Sequence, residues 1–240
     1  MNKGLKIFLI TLLSIITVTI IVFLVLVLTN KINLSDFRFN ARISKEKVVD
    51  QEYDKVFDKI DIKSDAGDIY IKESDTDKVK VVVYGEKERT TVEDNETLSI
   101  KTTTKECHFF CTNTVISKIE VYIPATYTNP INIDTSYGDI KADAVYDLNA
   151  ETNYGDIKIN KANNSFKLET NYGDIKIDEV NIAKDSSAET NFGDVKVEST
   201  NEVNIIADTD LGDTKVNNNY PNSEITLRLE TNLGDVKVNN

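Results

Sequence analysis

Apolar and polar side chains alternate along most of this chain, and the alternation breaks repeatedly at one kind of place. Ile225, Leu227, Leu229, Thr231 and Leu233 alternate with Thr226, Arg228, Glu230 and Asn232, the period-2 pattern of a strand with one buried face. After Gly234-Asp235 the apolar positions are Val236 and Val238, so the inward parity has moved by one residue. A strand does this only through a bulge or a corner. The same shift separates Leu168-Thr170-Tyr172 from Ile175-Ile177, and Val203-Ile205-Ala207-Thr209-Leu211 from Val216. Glycine gives such a corner the backbone freedom it needs.

Of the nine glycines, seven are followed by Asp: Gly67, Gly138, Gly155, Gly173, Gly193, Gly212 and Gly234. From Gly138 onward their spacings are 17, 18, 20, 19 and 22 residues, and the variation falls in segments such as Asn160 to Ser165 and Asn217 to Ser223. Insertions confined to one place per repeat are the mark of a solenoid, in which each coil buries its apolar side only against its neighbours. The pattern therefore predicts an all-β fold: a β-solenoid of stacked short-strand coils with Gly-Asp corners, behind one N-terminal transmembrane helix.

Coils stacked about 4.8 Å apart place equivalent residues in columns. Tyr137, Tyr154, Tyr172, Phe192, Leu211 and Leu233 are expected to form an inward column beside inward Thr residues. Outward columns follow from the same parity: an acidic one (Asp134, Glu151, Glu169, Glu189, Asp208, Glu230), one mostly of Asn, one of corner Asp, and one of Lys (Lys141, Lys158, Lys176, Lys196, Lys215, Lys237). More divergent coils come earlier, with the Gly67 corner inside Lys59 to Ser74. Strand-like runs follow at Lys78 to Gly85, Thr97 to Thr104 and Lys118 to Ala125.

The one segment that escapes this pattern is Ile7 to Leu28, 22 residues without a charge. At 1.5 Å per residue a helix of that length matches a bilayer core of ~30 Å. A signal peptide is the competing reading, but its apolar region is shorter and ends in a small-residue cleavage site, which is not found here. The chain divides into a cytosolic N-terminus (1–6), a transmembrane helix (7–28), a stalk or linker (29–55) and the β-solenoid (56–240). Lys3 and Lys6 before the span oppose Lys31, Arg38, Arg42 and Lys45 after it, so flanking charge leaves the orientation open. A long following domain is usually translocated regardless. The expected location is the cell membrane, single-pass, with the C-terminal domain extracytoplasmic.

Charge sharpens the picture. The whole chain carries -12, and its first 45 residues hold six basic groups and one acidic group. The remaining 22 basic and 39 acidic side chains sum to -17. Such a domain repels nucleic acid and attracts cations and basic peptides.

"IDIKSDAGDIYI", then a strand ending in Ile-Pro ("VYIPA", Val121 to Ala125), then "INIDTSYGDIKAD" and further Gly-Asp turns resemble the bacterial putative-adhesin family of β-strand-repeat proteins. The likeness covers roughly Val56 to Asn240. It implies a β-solenoid on the outer membrane face, in Gram-positive bacteria often linked to envelope-stress systems, and it brings no catalytic residues with it.

Candidate chemistry is sparse. The lone His108 has no repeated partner from which a nucleophile, base and orienter could be assembled, so an enzyme is not expected, nor a cofactor. Cys107 and Cys111 flank His108-Phe109-Phe110. In an exported domain they read as a local disulfide, and too few further Cys or His are present for a metal site. The Phe pair is either an exposed contact loop or buried. Carboxylate columns suggest calcium, but corner Asp residues more often cap turn N–H groups, and no metal is expected.

Two functions remain. One is a non-catalytic surface-interaction or envelope-stress module. Its expected partners are cationic peptides, wall polymer or an envelope protein, with Glu151, Glu169 and Glu189 as the candidate cationic-peptide surface. The other is a structural or regulatory scaffold without a ligand of its own. The strand residues Asp235 to Asn240 also suggest an exposed last coil, and hence end-to-end self-association.

Overall fold

The computed structural model describes residues 12–14, 16–18, 40–104 and 113–239. Nearly all of these belong to one packed unit, residues 42–105 and 115–240; a second unit takes in residues 1–41 and 106–114. Residues 12–14 and 16–18 are helical. No helix among the described residues is long and apolar enough to cross a membrane; most of the Ile7–Leu28 stretch lies outside them. Cys107, His108 and Cys111, with the proposed disulfide, also lie outside the described residues.

Beyond a short first strand, β1 (Asn40–Ile43), the strands of the packed unit form two hydrogen-bonded ladders. Ladder one runs β6 (Thr90–Asp94), β7 (Thr97–Thr102), β3 (Lys59–Ser64), β9 (Ile131–Tyr137), then the second halves of β10 (Ile140–Tyr154) and β11 (Ile157–Tyr172). It continues through β13 (Ser186–Phe192) and β17 (Thr226–Leu233) to β15 (Asn204–Leu211). Ladder two runs β2 (Lys47–Tyr53), β5 (Val79–Tyr84), β8 (Asn113–Ile123), β4 (Gly67–Glu73) and the first halves of β10 and β11. It ends with β12 (Ile175–Ile182), β14 (Val195–Val197), β18 (Val236–Val238) and β16 (Thr214–Lys215).

The repeat coils pair in parallel, one residue above its equivalent, while β2–β5, β5–β8 and β6–β7 are antiparallel. The inner faces of both ladders supply one core, with Ile133, Ala150, Leu168, Ala188 and Leu229 from the first and Ile140, Ile157, Ile175, Val195 and Val236 from the second. Burying the inner faces of each coil in this shared core, against the coils on either side, is what makes the all-β, solenoid-like repeat stable.

The Gly-Asp corners join the two ladders, and three constraints hold them, two of them hydrogen-bonded columns. Thr side chains, buried at Thr152, Thr170, Thr190 and Thr231 and half-buried at Thr209, donate through Oγ1 to the corner-Gly carbonyl of the neighbouring coil at 2.9–3.2 Å. The corner Asp residues from Asp68 to Asp235 each accept, through Oδ1, the backbone N–H of the corner Asp in the next coil at 2.8–3.1 Å, and the series ends at the Asp213 N–H. The carboxylates thus cap a neighbouring coil rather than their own turn. The third constraint is steric. Gly173 has φ +158°, and a Cβ there would lie 2.0 Å from the Gly155 carbonyl oxygen. Glycine is required for its backbone conformation and for the close approach of the coils together.

Three expectations are corrected. Lys47 to Tyr53, assigned to the stalk, is strand β2, antiparallel to β5 with Tyr53 buried, so the packed unit begins upstream of residue 56. The column Tyr137, Tyr154, Tyr172, Phe192, Leu233, Leu211 points outward: Tyr137 is 57% and Leu211 68% exposed. Its parity matches the buried Thr column, but the core ends at Thr and the next residue already overhangs the corner. The rings bury their faces on each other instead, with centroids 4.8–5.0 Å apart and planes within 5°.

The third correction concerns the end of the stack. Strands β17 and β18 do not form it: β17 lies between β13 and β15, and β18 between β14 and β16. The chain passes outward through β15–β16, loops back through residues 216–225 and inserts its final coil one place inward. The open edge is β15–β16, where Asp208 and Asp210 are exposed; charged side chains of this kind discourage edge-to-edge pairing.

Candidate functional site

The outer face of ladder one follows from strand parity. With Leu168 and Thr170 turned inward, Glu169 and Asn171 face out on the same side, and the register repeats this in every coil. The acidic column reads Asp134, Glu151, Glu169, Glu189, Glu230, Asp208 in spatial order. The structure therefore brings Glu151, Glu169 and Glu189 together as direct neighbours. Beside them an amide column forms, in which Asn171 donates to Asn153 at 2.7 Å, Asn191 to Asn171 at 2.6 Å and Asn232 to Asn191 at 2.9 Å. Between the two columns runs a groove of about 160 Å³ lined by Glu151, Glu169, Glu189, Glu230 and the Asn side chains.

Two of the four groove glutamates are neutralised in place. Lys167 pairs with Glu169 at 2.5 Å and Arg228 with Glu230 at 2.6 Å. The hydrogen bond to Glu169 comes first among the causes that raise the Lys167 ammonium, with the charges of Glu189 and Glu151 adding to it. Glu151 and Glu189 form no ion pair among the described residues. The coils at Glu151 and Glu189 carry Asn149 and Ser187 where their neighbours carry Lys167 and Arg228, which is why alternate carboxylates stay open.

The outer face of ladder two has the opposite character. Its central column is Lys215, Lys237, Lys196, Lys176, Lys158, Lys141, continuing in register to Tyr70 and Glu120. The corner-Asp column flanks it on one side and a mixed acidic and Asn column on the other. Most of the lysines are paired: Lys141 with Asp139 at 3.0 Å, Lys176 with Asp178 at 2.9 Å, Lys196 with Glu198 at 2.7 Å and Lys237 with Asp235 at 2.8 Å.

At the Glu120 end the pattern changes to an aromatic and basic cluster. Glu120, 5% exposed, is held by Lys72 and Lys118, each at 2.8 Å, and accepts a hydrogen bond from the Tyr122 hydroxyl at 3.3 Å. Burial alone would raise its carboxyl, but the hydrogen bonds from Lys118 and Lys72 outweigh it and hold the group below its ordinary value. Sequence reasoning passed over this cluster. Its signal was the outward parity shared by Tyr70-Lys72, Lys80-Tyr84 and Lys118-Glu120-Tyr122, legible only once the pairing of β4, β5 and β8 is known.

Among the described residues no group of three or more His, Cys, Asp or Glu is arranged to hold a metal ion. Tyr127, buried with its hydroxyl donating to the Phe57 carbonyl at 3.2 Å, has its phenol pushed well up by burial. It closes the core near Asn129, which donates to the same carbonyl at 2.8 Å.

A family model described as Toastrack DUF4097 matches residues 57–240. A search of curated proteins returns no match. Among solved structures, the chain is similar to a protein described as a putative adhesin from Bacteroides fragilis NCTC 9343, at 18% identity and TM-score 0.45, covering 81% of this chain and 98% of that one. It is also similar to a putative cell adhesion protein from Clostridium sporogenes ATCC 15579 (10% identity, TM-score 0.34, 80% and 99% covered). A third is described as a putative lipid binding protein from Parabacteroides distasonis ATCC 8503 (13%, 0.34, 82% and 100%).

Proposed function

The chain belongs to the Toastrack DUF4097 family, and on that premise we propose that it is a non-catalytic surface-interaction module whose ladder-one groove receives extended basic peptides. The observation that carries this is the row of four groove glutamates, two of them without a cationic partner. In a domain of -17, the nearest cations, Lys167 and Arg228, are already paired with Glu169 and Glu230, so these two carboxylates have no ion-pair partner of their own among the described residues. A basic segment laid along the groove would supply it, while the Asn column offers amide groups for the peptide backbone.

The fit is loose by construction. An extended peptide advances ~3.3 Å per residue, whereas the carboxylates recur about every 4.8 Å. No one-to-one register exists, so recognition rests on charge density rather than on a sequence. Binding of this kind is weak and screened over a Debye length of ~8 Å at physiological salt.

The uncharged Ile7–Leu28 stretch supports a single membrane span that holds the domain on the outer face. Basic amphipathic peptides that attack membranes act at that surface. Capturing them there is the envelope-stress role that this reading assigns. The scaffold reading, with no ligand, is what remains if the groove takes up nothing.

The test is calorimetric titration of the full chain with an oligolysine peptide at low and at high salt. The proposal expects binding at low salt that fades as salt rises. No heat at low salt removes the cationic-peptide reading and leaves the scaffold.

A further inference from the structure

We propose that the outer face of ladder two holds a second, separate binding site, for a phosphate-type oxyanion, built by Lys158, Lys72, Lys141 and the Tyr70 hydroxyl. These side chains line a cavity of about 200 Å³ together with Asp143 and Asn160. At ~30 Å³ per water, that is room for one tetrahedral oxyanion with a small substituent.

Lys158 is the reason to look here. It forms no ion pair among the described residues, although the lysines directly above and below it in the column do. Lys141 and Lys237 pair with the corner Asp two positions before them, and Lys176 and Lys196 with the acid two positions on. Lys158 does neither, with Asn160 two positions on and the corner Asp156 accepting the Asp174 N–H through Oδ1. The remaining acid of the cavity, Asp143, is already engaged. Its Oδ1 accepts from Asn160 Nδ2 at 3.3 Å and its Oδ2 from the Glu73 backbone N–H at 3.4 Å.

The other wall is preorganised. Lys72, Lys118 and Lys141 surround the Tyr70 ring, with ammonium nitrogens 5.5, 5.1 and 5.8 Å from its centroid. Glu120 fixes Lys72 and Lys118 from beneath at 2.8 Å each. The Tyr70 hydroxyl makes no hydrogen bond among the described residues, so it is free to donate.

Three ammonium groups and one phenolic O–H line one cavity. Lys72 and Lys141 each give one hydrogen bond, to Glu120 and Asp139 respectively, and their remaining N–H groups, with Lys158 and the phenol, are the donor set offered to a ligand. Ammonium groups act as point-charge donors to phosphate oxygens. A carboxylate, with one charge and two oxygens, satisfies fewer of these donors than a doubly charged tetrahedral oxyanion. The same chemistry is offered by free phosphate and by a phosphomonoester carried on a larger molecule.

The full chain is titrated with inorganic phosphate and, in a second arm, with glycerol 3-phosphate, by calorimetry at constant ionic strength. Wild type should bind at least one of the two, and the tighter arm identifies the source. Lys158→Gln should weaken that binding about tenfold, the value of one charge-assisted hydrogen bond. Lys158→Arg should retain most of it, and Lys196→Gln, in a paired part of the same column, should leave it unchanged. Because Lys158 is exposed and unpaired, its variants should melt with wild type. Absence of binding in both arms overturns the site, as does equal weakening by Lys158→Gln and Lys196→Gln, which would mark general charge screening only.

Discussion

The two outer faces of this stack are built on one backbone repeat, yet they solve the problem of stacked charges differently. On ladder one, like residues sit above like residues. An Asn can do this at a profit, because each amide donates to the next; a Glu cannot, and Lys167 and Arg228 relieve only alternate positions. On ladder two, Lys stacks on Lys between a corner-Asp column and a mixed acidic and Asn column, and most of the lysines find an opposite charge sideways. The first face is left with surplus negative charge. On the second, Lys158 alone of the column lysines is without an ion pair among the described residues. In a repeat protein, unbalanced charge is therefore set by single departures from the repeat rather than by the repeat itself.

Gly173→Val should break both faces at once and have the largest effect. The forbidden φ and the 2.0 Å approach to Gly155 act together, for a loss of at least about 3 kcal/mol in chemical denaturation. Next comes Glu120→Ala, which strands Lys72 and Lys118 on ladder two and should cost about 2 kcal/mol. Its pH signature follows from the depressed carboxyl. The stabilisation is fully present above the unfolded value near 4.5 and is lost as pH falls through the lower folded value. Glu120→Gln should therefore flatten the acid limb of the stability profile, and an unchanged limb would detach Glu120 from its lysines.

Smaller effects sharpen the contrast between columns. Asp174→Ala leaves the Asp194 N–H without its acceptor and should cost about 1 kcal/mol, whereas Asp174→Asn keeps an acceptor and should be nearly neutral. Asn171→Ser, which removes two amide links on ladder one, should cost about 1 kcal/mol or less. Thermal melts of the three variants, compared with Gly173→Val, rank the corner against the columns. If Asn171→Ser and Gly173→Val melt alike, the corner does not demand glycine.

Much of this was legible in the sequence for a physical reason. Period-2 alternation and a parity shift at Gly-Asp report burial directly, so the strands, the corners and the acidic, Asn and Lys columns could be read residue by residue. What stayed hidden depends on partners far along the chain. The column from Tyr137 to Phe192 shares parity with buried Thr, and only the position of the core edge decides that it overhangs. The final coil, Thr226 to Val238, obeys the repeat wherever it inserts, so nothing local says that it enters beneath β15–β16. Lys47 to Tyr53 reads as a polar stalk because its partner β5 supplies the context. In the candidate groove, the grouping of Glu151, Glu169 and Glu189 was legible; their unequal neutralisation needed the register with Lys167 and Arg228. The Tyr70–Glu120 cluster, assembled from β4, β5 and β8, was not legible at all.

The central claim is that the open carboxylates of ladder one, and not the net charge of the domain, make the binding surface. The most direct measurement is oligolysine titration of Glu151→Gln/Glu169→Gln/Glu189→Gln beside a control that removes three exposed acids elsewhere, Asp54→Asn/Asp75→Asn/Asp77→Asn. Both variants lose three charges. The account predicts that the groove variant loses most of its low-salt affinity while melting no lower than wild type, and that the control binds nearly as wild type does. Equal loss in the two variants would contradict it, and would reduce the columns to a solvated face.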